Sequence, residues 1–147
     1  MQEFDRFMEV VRELRKKCPW DSVQTHESLK PYLMEEAGEV LEGIDHLNAE
    51  GDSQNLCEEL GDVLFQVALH SVIAEEEGLF TIKDVISGVE SKMKFRHPKI
   101  FSPDDAEAVS LSWDELKARE RQKKSELFFL LKNDRRPPPM AGKALTI

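Results

Sequence analysis

Apolar residues recur at helical spacing along this chain, and no stretch alternates apolar and polar residues in the way that a half-buried strand does. Near the amino terminus, Phe4, Phe7 and Val11 follow one another at intervals of three and four residues, which is the spacing of one face of an α-helix. Pro19 disfavours helical backbone in the residue before it, so this first helix is expected to end near Cys18. The periodicity predicts an all-α fold, a bundle of amphipathic helices.

The second helix has two candidate starting points. Thr25 is a suitable N-cap, because its hydroxyl can accept a hydrogen bond from a backbone N–H of the first turn. Pro31 marks the alternative start, since proline is tolerated in the first turn of a helix and not deeper. From either start the helical pattern continues to about Glu50, and Gly51 is a suitable C-terminal stop.

Three longer helices are expected after Gly51, each following a capping residue. Asp52 or Ser53 can cap a helix that runs to about Glu77, Thr81 can cap one from Ile82 to about Arg96, and Ser112 opens one that runs to about Leu131. Ser112 and Glu115 have the spacing of a capping box. Ser102, which precedes Pro103, predicts an additional short helical turn before the last of these helices.

Composition and charge exclude several classes of protein. The chain has 147 residues, 40% of them hydrophobic, and no apolar run approaches the roughly 20 residues that a membrane-spanning helix needs. We therefore expect no membrane partner, and the first residues lack the basic and apolar segments of a secretory signal. The formal net charge of −9 argues against nucleic acid as a partner, because a face that binds nucleic acid is normally basic.

The cysteine content and the carboxyl terminus add two expectations. Cys18 and Cys57 are too few for a disulfide framework or a zinc cluster, which favours reduced thiols and a cytoplasmic location. Residues 1–132 are expected to form one domain. Residues 133–147 contain the prolines Pro137–Pro139 and are predicted to be a linker or tail.

Acidic residues on the second and third helices form two pairs. Glu36 and Glu39, and likewise Glu59 and Asp62, lie three residues apart, which places both carboxylates of a pair on one helix face. A short connection favours antiparallel packing of the two helices, and this packing would bring the pairs together. Glu36 falls within the apolar arc of its helix and Glu39 at its edge, whereas Glu35 points to the far side. The third helix is apolar on nearly all sides, which predicts a central position.

Carboxylates that face one another on such helices need a compensating positive charge. Like charges repel strongly where the effective dielectric is low, and a buried charge is costly unless it is paired. A hard divalent cation satisfies both requirements, and Mg²⁺ prefers oxygen ligands in an octahedral arrangement. Spacing alone leaves two explanations open: a Mg²⁺ site, and salt bridges to lysine or arginine residues of neighbouring helices.

Basic and aromatic residues on the later helices are candidates for contacts with phosphate. Lys92 and Arg96 share one helix face at a spacing of four residues, and so do Trp113 and Lys117. Extra positive charge is needed before a triphosphate can approach a group of carboxylates. Taken alone, however, this spacing is more typical of basic residues on a solvated helix face.

Six ordered segments extend the acidic pattern over most of the chain, from about residue 3 to residue 124. They are Cys18-Pro19-Trp20-Asp21, Gln24-Thr25-His26-x-Ser28-Leu29-x-Pro31-Tyr32, Glu35-Glu36-x-x-Glu39, Glu59-Leu60-Gly61-Asp62, Arg96-His97-Pro98-x-x-Phe101 and Trp113-x-x-x-Lys117. Together they resemble the MazG family of all-helical nucleoside triphosphate pyrophosphohydrolases. A Glu-Glu-x-x-Glu motif alone would be weak evidence, whereas the ordered set is specific.

The resemblance implies a Mg²⁺-dependent reaction and a role for each candidate residue. The ligands implied for Mg²⁺, or for Mn²⁺ as the alternative ion, are Glu36, Glu39, Glu59 and Asp62. The contacts implied for the nucleoside triphosphate are Lys92, Arg96 and Lys117 at the phosphates and Trp113 in the nucleotide pocket. The implied reaction is attack of a metal-activated water on the α-phosphorus, which releases the monophosphate and pyrophosphate. By hypothesis, Glu35 orients or deprotonates this water, and Trp20 either lines the pocket or fixes the first connection to the core.

The resemblance also implies an assembly and leaves alternatives. A central four-helix bundle completed in a homodimer, or in a dimer of dimers, is expected. Because members of the family often carry two such domains in tandem, and the tail resembles the connection between them, a catalytically weak or inactive nucleotide-binding half is one alternative. A related dUTPase-like or phosphoribosyl-ATP-cleaving enzyme is another. A carboxylate di-iron protein is disfavoured, because no histidine has a glutamate three residues before it.

Overall fold

A computed structural model of the chain describes residues 2–133, and the side-chain surroundings of residues 2–125. Every regular element within residues 2–133 is helical, which confirms the predicted all-α fold. A 3₁₀ turn covers Asp21–Val23, and the α-helices are α1 Gln2–Lys17, α2 Lys30–Glu50, α3 Gln54–Glu76, α4 Ile82–Arg96, α5 Pro98–Phe101, α6 Ala106–Ser110 and α7 Trp113–Asn133. The predicted tail lies, from residue 134 onwards, outside the described residues. None of the helices in the described part is long and apolar enough to cross a membrane.

The start of α2 decides between the two sequence-based alternatives. The helix begins at Lys30 with Pro31 in its first turn, so the start at Pro31 is confirmed and the start at Thr25 is wrong. Thr25 instead closes a turn that precedes the helix, since its hydroxyl oxygen accepts a hydrogen bond from the backbone N–H of Ser28 at 3.1 Å. At the other end Gly51 has a φ of 74°, a left-handed conformation that glycine adopts at no steric cost.

The segment between α4 and α7 contains the expected turn and a further helix. The turn begins at Ser102, whose backbone oxygen accepts a hydrogen bond from the backbone N–H of Asp105 at 3.0 Å. The helix α6 starts after Asp105, whose side chain accepts a hydrogen bond from the backbone N–H of Ala108. The capping box that opens α7 is confirmed. The backbone N–H of Ser112 donates to Glu115 at 2.7 Å, and the backbone N–H of Glu115 donates to the Ser112 hydroxyl at 3.3 Å.

The chain divides into two compact units between Ser87 and Gly88. In the first unit, α1 packs against the carboxy-terminal half of α3. The buried apolar core of this unit consists of Met8, Val11, Leu29, Ala68, Leu69, Val72, Ile73 and Ile82. Arg15 fixes the connection between α1 and α2, because its guanidinium pairs with Glu76 at 3.0 Å and donates to the backbone oxygens of Asp21 and Gln24.

The helices α2 and α3 form an antiparallel hairpin in the first unit. Gly43 of α2 faces Leu56 of α3, and Glu36 lies near Asp62, so the two helices run in opposite directions. The expectation that α3 is central holds within this unit only for its carboxy-terminal half. Towards its amino terminus, Leu60 is 53% exposed because no other helix of this unit covers that side.

Candidate functional site

Three carboxylates from the two helices of the hairpin converge. Glu36 of α2 and Glu59 and Asp62 of α3 offer oxygen atoms that all lie within 4.8 Å of one another. Glu36 and Glu59 are half-buried and Asp62 is exposed. The prediction that the two acidic pairs meet is confirmed for these residues, and they are the acidic cluster referred to below.

Glu39 lies beside the acidic cluster and interacts with its carboxylates. The pKa of Glu39 is raised above its ordinary value, first by hydrogen bonding with Glu59 and then by burial and the charges of Glu59, Glu36 and Glu35. All four residues that the sequence nominated as metal ligands therefore lie in one place.

Burial and mutual repulsion set the electrostatics of the cluster. Burial raises the pKa of Glu36, and the charges of Asp62, Glu35 and Glu59 raise it further. Among the described ion pairs, none joins a lysine or an arginine to Glu36, Glu39, Glu59 or Asp62. Of the two explanations left open by spacing, the geometry thus favours a bound cation, because the negative charge has no basic partner within the described residues.

A close approach of the two backbones positions the cluster. A Cβ atom added to Gly43 would lie 3.0 Å from the Cα of Leu56 and 3.1 Å from Oδ1 of Asn55. Any larger residue at position 43 would require α3 to shift by a few tenths of an ångström, so glycine favours this close approach of α2 to α3. Asn55 in turn donates a hydrogen bond from Nδ2 to Oε1 of Glu59 at 3.0 Å, which orients that carboxylate. Gly43 and Asn55 support the cluster and escaped prediction, because nothing in the sequence shows which glycine faces a neighbouring helix.

Glu35 and Trp20 lie in the same unit with less direct relations to the cluster. Glu35 is exposed on α2 and is outside the group of oxygen atoms that meet, although its charge raises the pKa of Glu36. Trp20 is 43% exposed, and its ring meets the edge of Tyr32 at 5.2 Å between centroids. This contact joins the first connection to the start of α2.

The second unit contains a cavity of about 360 Å³ lined by basic, aromatic and aliphatic residues. Arg96, His97 and Trp113 belong to its lining. The guanidinium carbon of Arg96 lies 5.4 Å from the centroid of the Trp113 ring, a cation–π distance. The His97 ring meets the same indole at 5.6 Å. His97 also occupies the N-cap position of α5 and donates from Nδ1 to the carbonyl of Met93 at 2.7 Å, which is a structural role at the helix end.

Lys92 and Lys117, the two lysines predicted to contact phosphate, have different surroundings in the second unit. Lys92 is half-buried and lines a neighbouring cavity of about 290 Å³. Lys117 is half-buried and forms an ion pair with Asp114 at 2.8 Å. The ion pair of Lys117 agrees with a surface residue on a solvated helix, whereas Lys92 has no ion pair among the described residues.

Glu120 on α7 is a buried acid that sequence reasoning missed. Its side chain is 9% exposed, and its two oxygens pair with Arg96 Nε and Lys124 Nζ, each at 2.6 Å. The hydrogen bond with Lys124 lowers the pKa of Glu120 against the effect of burial, and Arg96 lowers it further. The spacing of four residues between Glu120 and Lys124 is typical of an exposed ion pair on a helix. The contact with Arg96 was not visible in the sequence, because the two residues are 24 positions apart.

Comparison with known proteins gives a consistent set of similarities. Residues 24–101 match the family described as the MazG nucleotide pyrophosphohydrolase domain. The matched range contains the acidic cluster, Glu39, Lys92 and Arg96, and ends before Trp113 and Lys117.

Curated relatives resemble the chain over most of its length. It is 48% identical over 124 residues to the uncharacterised protein YabN of Bacillus subtilis, covering 81% of this chain and 24% of YabN. It is 44% identical over 123 residues to the nucleoside triphosphate pyrophosphohydrolase/pyrophosphatase MazG of Thermotoga maritima, and the aligned residues cover 82% of this chain and 46% of that protein. It is 37% identical over 132 residues to the nucleoside triphosphate pyrophosphohydrolase of Escherichia coli K12, and the aligned residues cover 86% of this chain and 49% of that protein. The chain thus spans between a quarter and a half of the length of these relatives.

Proposed function

Because this chain belongs to the MazG nucleotide pyrophosphohydrolase family, we propose that it hydrolyses nucleoside triphosphates to the monophosphate and pyrophosphate in a Mg²⁺-dependent reaction. The observation that carries the proposal is the acidic cluster. Carboxylates of two helices converge within 4.8 Å and lack a basic partner among the described residues, an arrangement that needs a cation. Relatives named as nucleoside triphosphate pyrophosphohydrolases support the reaction class.

The donor atoms of the cluster fit a hard divalent ion. Mg²⁺ favours carboxylate oxygens and retains positions for water or phosphate oxygens, and Mn²⁺, which also accepts oxygen ligands, is the alternative ion. The residues that would hold the ion are Glu36, Glu39, Glu59 and Asp62. When bound, Mg²⁺ neutralises phosphoryl oxygens and lowers the pKa of a coordinated water. A bound ion would favour the deprotonated forms of these residues, because carboxylate ligands must be deprotonated.

The reaction breaks the bond between the α-phosphorus and the oxygen that bridges to the β-phosphate. A water oxygen forms the new bond to the α-phosphorus, its proton passes to a base, and pyrophosphate leaves. We assign Glu35 to this step, as the group that orients or deprotonates the water, because it is exposed and remains outside the set of oxygens that would bind the ion. Its substitution by glutamine is expected to lower turnover while Mg²⁺ affinity is retained.

The basic and aromatic residues of the second unit are proposed to contact the substrate. Arg96 and Lys92 each line a cavity and are assigned to the triphosphate, together with Lys117. Trp113, which is 47% exposed, is assigned to the base or sugar, since an aromatic face stacks on planar rings. Trp20 is kept as a residue of the nucleotide pocket.

We further propose that the chain forms a homodimer or a dimer of dimers. The helices α2 and α3 carry large apolar side chains that the described residues leave substantially exposed, and the most exposed include Met34, Leu41, Leu60 and Leu64. A second copy of the hairpin would bury these side chains and complete a four-helix bundle. A cytoplasmic location is part of the same proposal, because Cys18 and Cys57 are free thiols.

The reaction is tested with purified protein, Mg²⁺ and each of the standard ribonucleoside and deoxyribonucleoside triphosphates in turn. Separation of products by anion-exchange chromatography is expected to show monophosphate and pyrophosphate. Glu59→Gln should abolish the activity, whereas Glu58→Gln should not, because Glu58 is an exposed neighbour on α3 outside the cluster.

Two results would contradict the proposal. Diphosphate and orthophosphate as products would show that the enzyme cleaves between the β- and γ-phosphates instead of at the α-phosphorus. Equal turnover in Glu59→Gln and Glu58→Gln would show that the acidic cluster does not take part in the reaction. Mg²⁺-dependent binding of triphosphate without turnover would favour the alternative, a nucleotide-binding half whose catalytic partner lies elsewhere in a longer protein.

A further inference from the structure

Glu120 is the most deeply buried acid whose side chain touches a proposed substrate-binding residue. The residue is 7% exposed, and both of its carboxylate oxygens are engaged. Oε2 accepts a hydrogen bond from Nε of Arg96 at 2.6 Å, and Oε1 lies 2.6 Å from Nζ of Lys124. A charge taken out of water in this way is costly unless its partners are held in good geometry, so the arrangement specifies where the Arg96 side chain lies.

The contact uses only one edge of the guanidinium. Arginine has five N–H donors in a planar fork, and Glu120 occupies the donor on Nε. No other hydrogen bond of the Arg96 side chain occurs among the described residues, so within them the four N–H groups on its terminal nitrogens have no hydrogen-bond acceptor. Arg96 also lines the cavity of about 360 Å³ that contains Trp113, and its guanidinium carbon is 5.4 Å from the centroid of that ring.

An arginine that is held before the substrate arrives binds an anion more tightly than a mobile one. Its long side chain loses rotamer entropy when it is immobilised, and a partner that immobilises it in the free protein removes that cost from binding. The two terminal nitrogens of the guanidinium match the spacing of two phosphate oxygens, which favours bidentate contact. A carboxylate bound to Nε leaves the edge formed by the two terminal nitrogens free for phosphate oxygens.

We propose that Glu120 is a positioning residue, which holds Arg96 by its Nε edge so that the terminal amino groups are presented to the phosphates of the nucleotide. This inference rests on the proposed function, in which Arg96 contacts the triphosphate. The competing explanation is purely structural: the pair would join α4 to α7, and its loss would weaken the fold without a specific effect on phosphate binding.

A double-mutant cycle separates the two explanations. Glu120→Gln, Arg96→Gln and the double variant are compared with the wild type by kcat/KM for a nucleoside triphosphate and by the Kd for its α,β-methylene analogue, which cannot be cleaved at this bond. Glu120→Gln is expected to reduce kcat/KM and affinity by roughly 10- to 100-fold, the size of a charged hydrogen bond. In the Arg96→Gln background the same change should have little further effect, because Glu120 acts through Arg96.

Glu107→Gln is the matched control. Glu107 pairs with Arg119 of α7 at 2.7 Å, so the variant also removes an Arg–Glu ion pair of the second unit, but one without contact to Arg96 or to its cavity. Its kcat/KM and Kd should equal those of the wild type. If Glu120→Gln does not fold, Glu120→Asp replaces it, since aspartate keeps the charge and is too short to reach Nε of Arg96.

The possible results are distinct. Wild-type values in Glu120→Gln, or a full loss that persists in the Arg96→Gln background, would overturn the positioning role. If the wild type binds the analogue but releases no pyrophosphate, the proposed function fails, while the Kd values of the cycle still decide the role of Glu120. Absence of binding in the wild type would overturn both.

Discussion

The imidazole rings of His26 and His70 meet through their Nδ1 atoms at 2.8 Å, with ring planes parallel to within 1°. A hydrogen bond between two such nitrogens needs one donor and one acceptor, so both rings cannot be fully protonated while the contact exists. His70 Nε2 is buried and has no hydrogen-bond partner among residues 2–125. The ring of His26, in contrast, has Glu77 at 3.8 Å from Nε2.

This histidine pair predicts a loss of stability in mild acid. Burial lowers the pKa of His70 below its ordinary value of 6.5, and His26 lowers it further. A group whose pKa is depressed by folding contributes stability above its unfolded pKa, and the contribution is lost as the pH falls towards the folded pKa. Between about pH 7 and about pH 5 the midpoint of thermal unfolding should therefore fall more steeply in the wild type than in His70→Gln. His46→Gln, at an exposed position of α2, should keep the wild-type slope; equal slopes in all three proteins would contradict the prediction.

Gly43→Ala is expected to destabilise the protein. The added Cβ would meet the Leu56 Cα at 3.0 Å and the side chain of Asn55 at 3.1 Å, and overpacking of this kind typically costs about 1–3 kcal/mol. Because Asn55 also orients Glu59, metal affinity should fall as well. Urea denaturation and metal titration measure the two effects. Gly38→Ala on the same helix is the control, since no atom of the described residues lies within 4 Å of the added Cβ, and this variant should be neutral or more stable.

Neutralising one carboxylate of the acidic cluster should separate stability from activity. Asp62 raises the pKa of Glu36 through its charge, so Asp62→Asn relieves repulsion and should slightly raise the unfolding temperature of the metal-free protein. Turnover should fall by at least the roughly 10- to 100-fold that loss of a partner around a metal site costs. A variant with lower metal-free stability and unchanged turnover would be evidence that the cluster does not bind metal.

Mg²⁺ should stabilise the protein more strongly at neutral than at acidic pH. The pKa values of Glu36 and Glu39 are raised above 4.5 in the folded protein, so the folded state binds extra protons and the metal-free protein loses stability as the pH rises through those values. In the proposed site Mg²⁺ would bind the deprotonated carboxylates and replace these protons. Thermal unfolding with and without Mg²⁺ should show a larger shift at about pH 7.5 than at about pH 5. A shift independent of pH would exclude these carboxylates as ligands.

A charge on the exposed side of α3 should prevent self-association. Leu60 is 53% exposed and Leu64 is 43% exposed in the single chain, and in the proposed dimer both would be buried. Leu60→Glu would then place an unpaired charge in an apolar interface, which is strongly unfavourable. Size-exclusion chromatography with light scattering should show monomers for this variant and dimers or tetramers for the wild type. Lys83→Gln, at an exposed position of α4, changes the net charge by the same single unit and serves as the control, and a monomeric wild type would contradict the proposed assembly.

The helices could be predicted from the sequence because their causes are local. The apolar periodicity of α1, the glycine after Glu50 and the Ser112–Glu115 capping box act within a few residues, and each of these expectations is confirmed. The start of α2 was ambiguous because Thr25 and Pro31 both carry a valid signal. Thr25 and Ser28 form hydrogen bonds that complete a separate turn before the helix. These contacts determine that α2 starts near Pro31 and not at Thr25.

The candidate site divides in the same way. Helical spacing placed Glu36 and Glu39 on one face and Glu59 and Asp62 on another, and a three-residue connection after α2 brought the faces together. The roles of these residues, and those of the basic residues, remain predictions. The supports of the site were invisible in the sequence, since the contacts made by Gly43 and Glu120 depend on which helices meet and at what height.

By itself the sequence determined that this chain is helical, where most helices begin and end, and which acidic side chains share a face, because hydrogen bonding within a helix and apolar periodicity are local properties. Only the tertiary structure decided that His26 meets His70, that Glu120 holds Arg96, and that the amino-terminal half of α3 stays uncovered. The two histidines are 44 positions apart in the sequence, and Glu120 and Arg96 are 24 positions apart. The exposure of α3 depends on which helices of the described part do not pack against it. The physical reason is that side-chain packing between helices responds to shape and distance in three dimensions, which a one-dimensional period does not record.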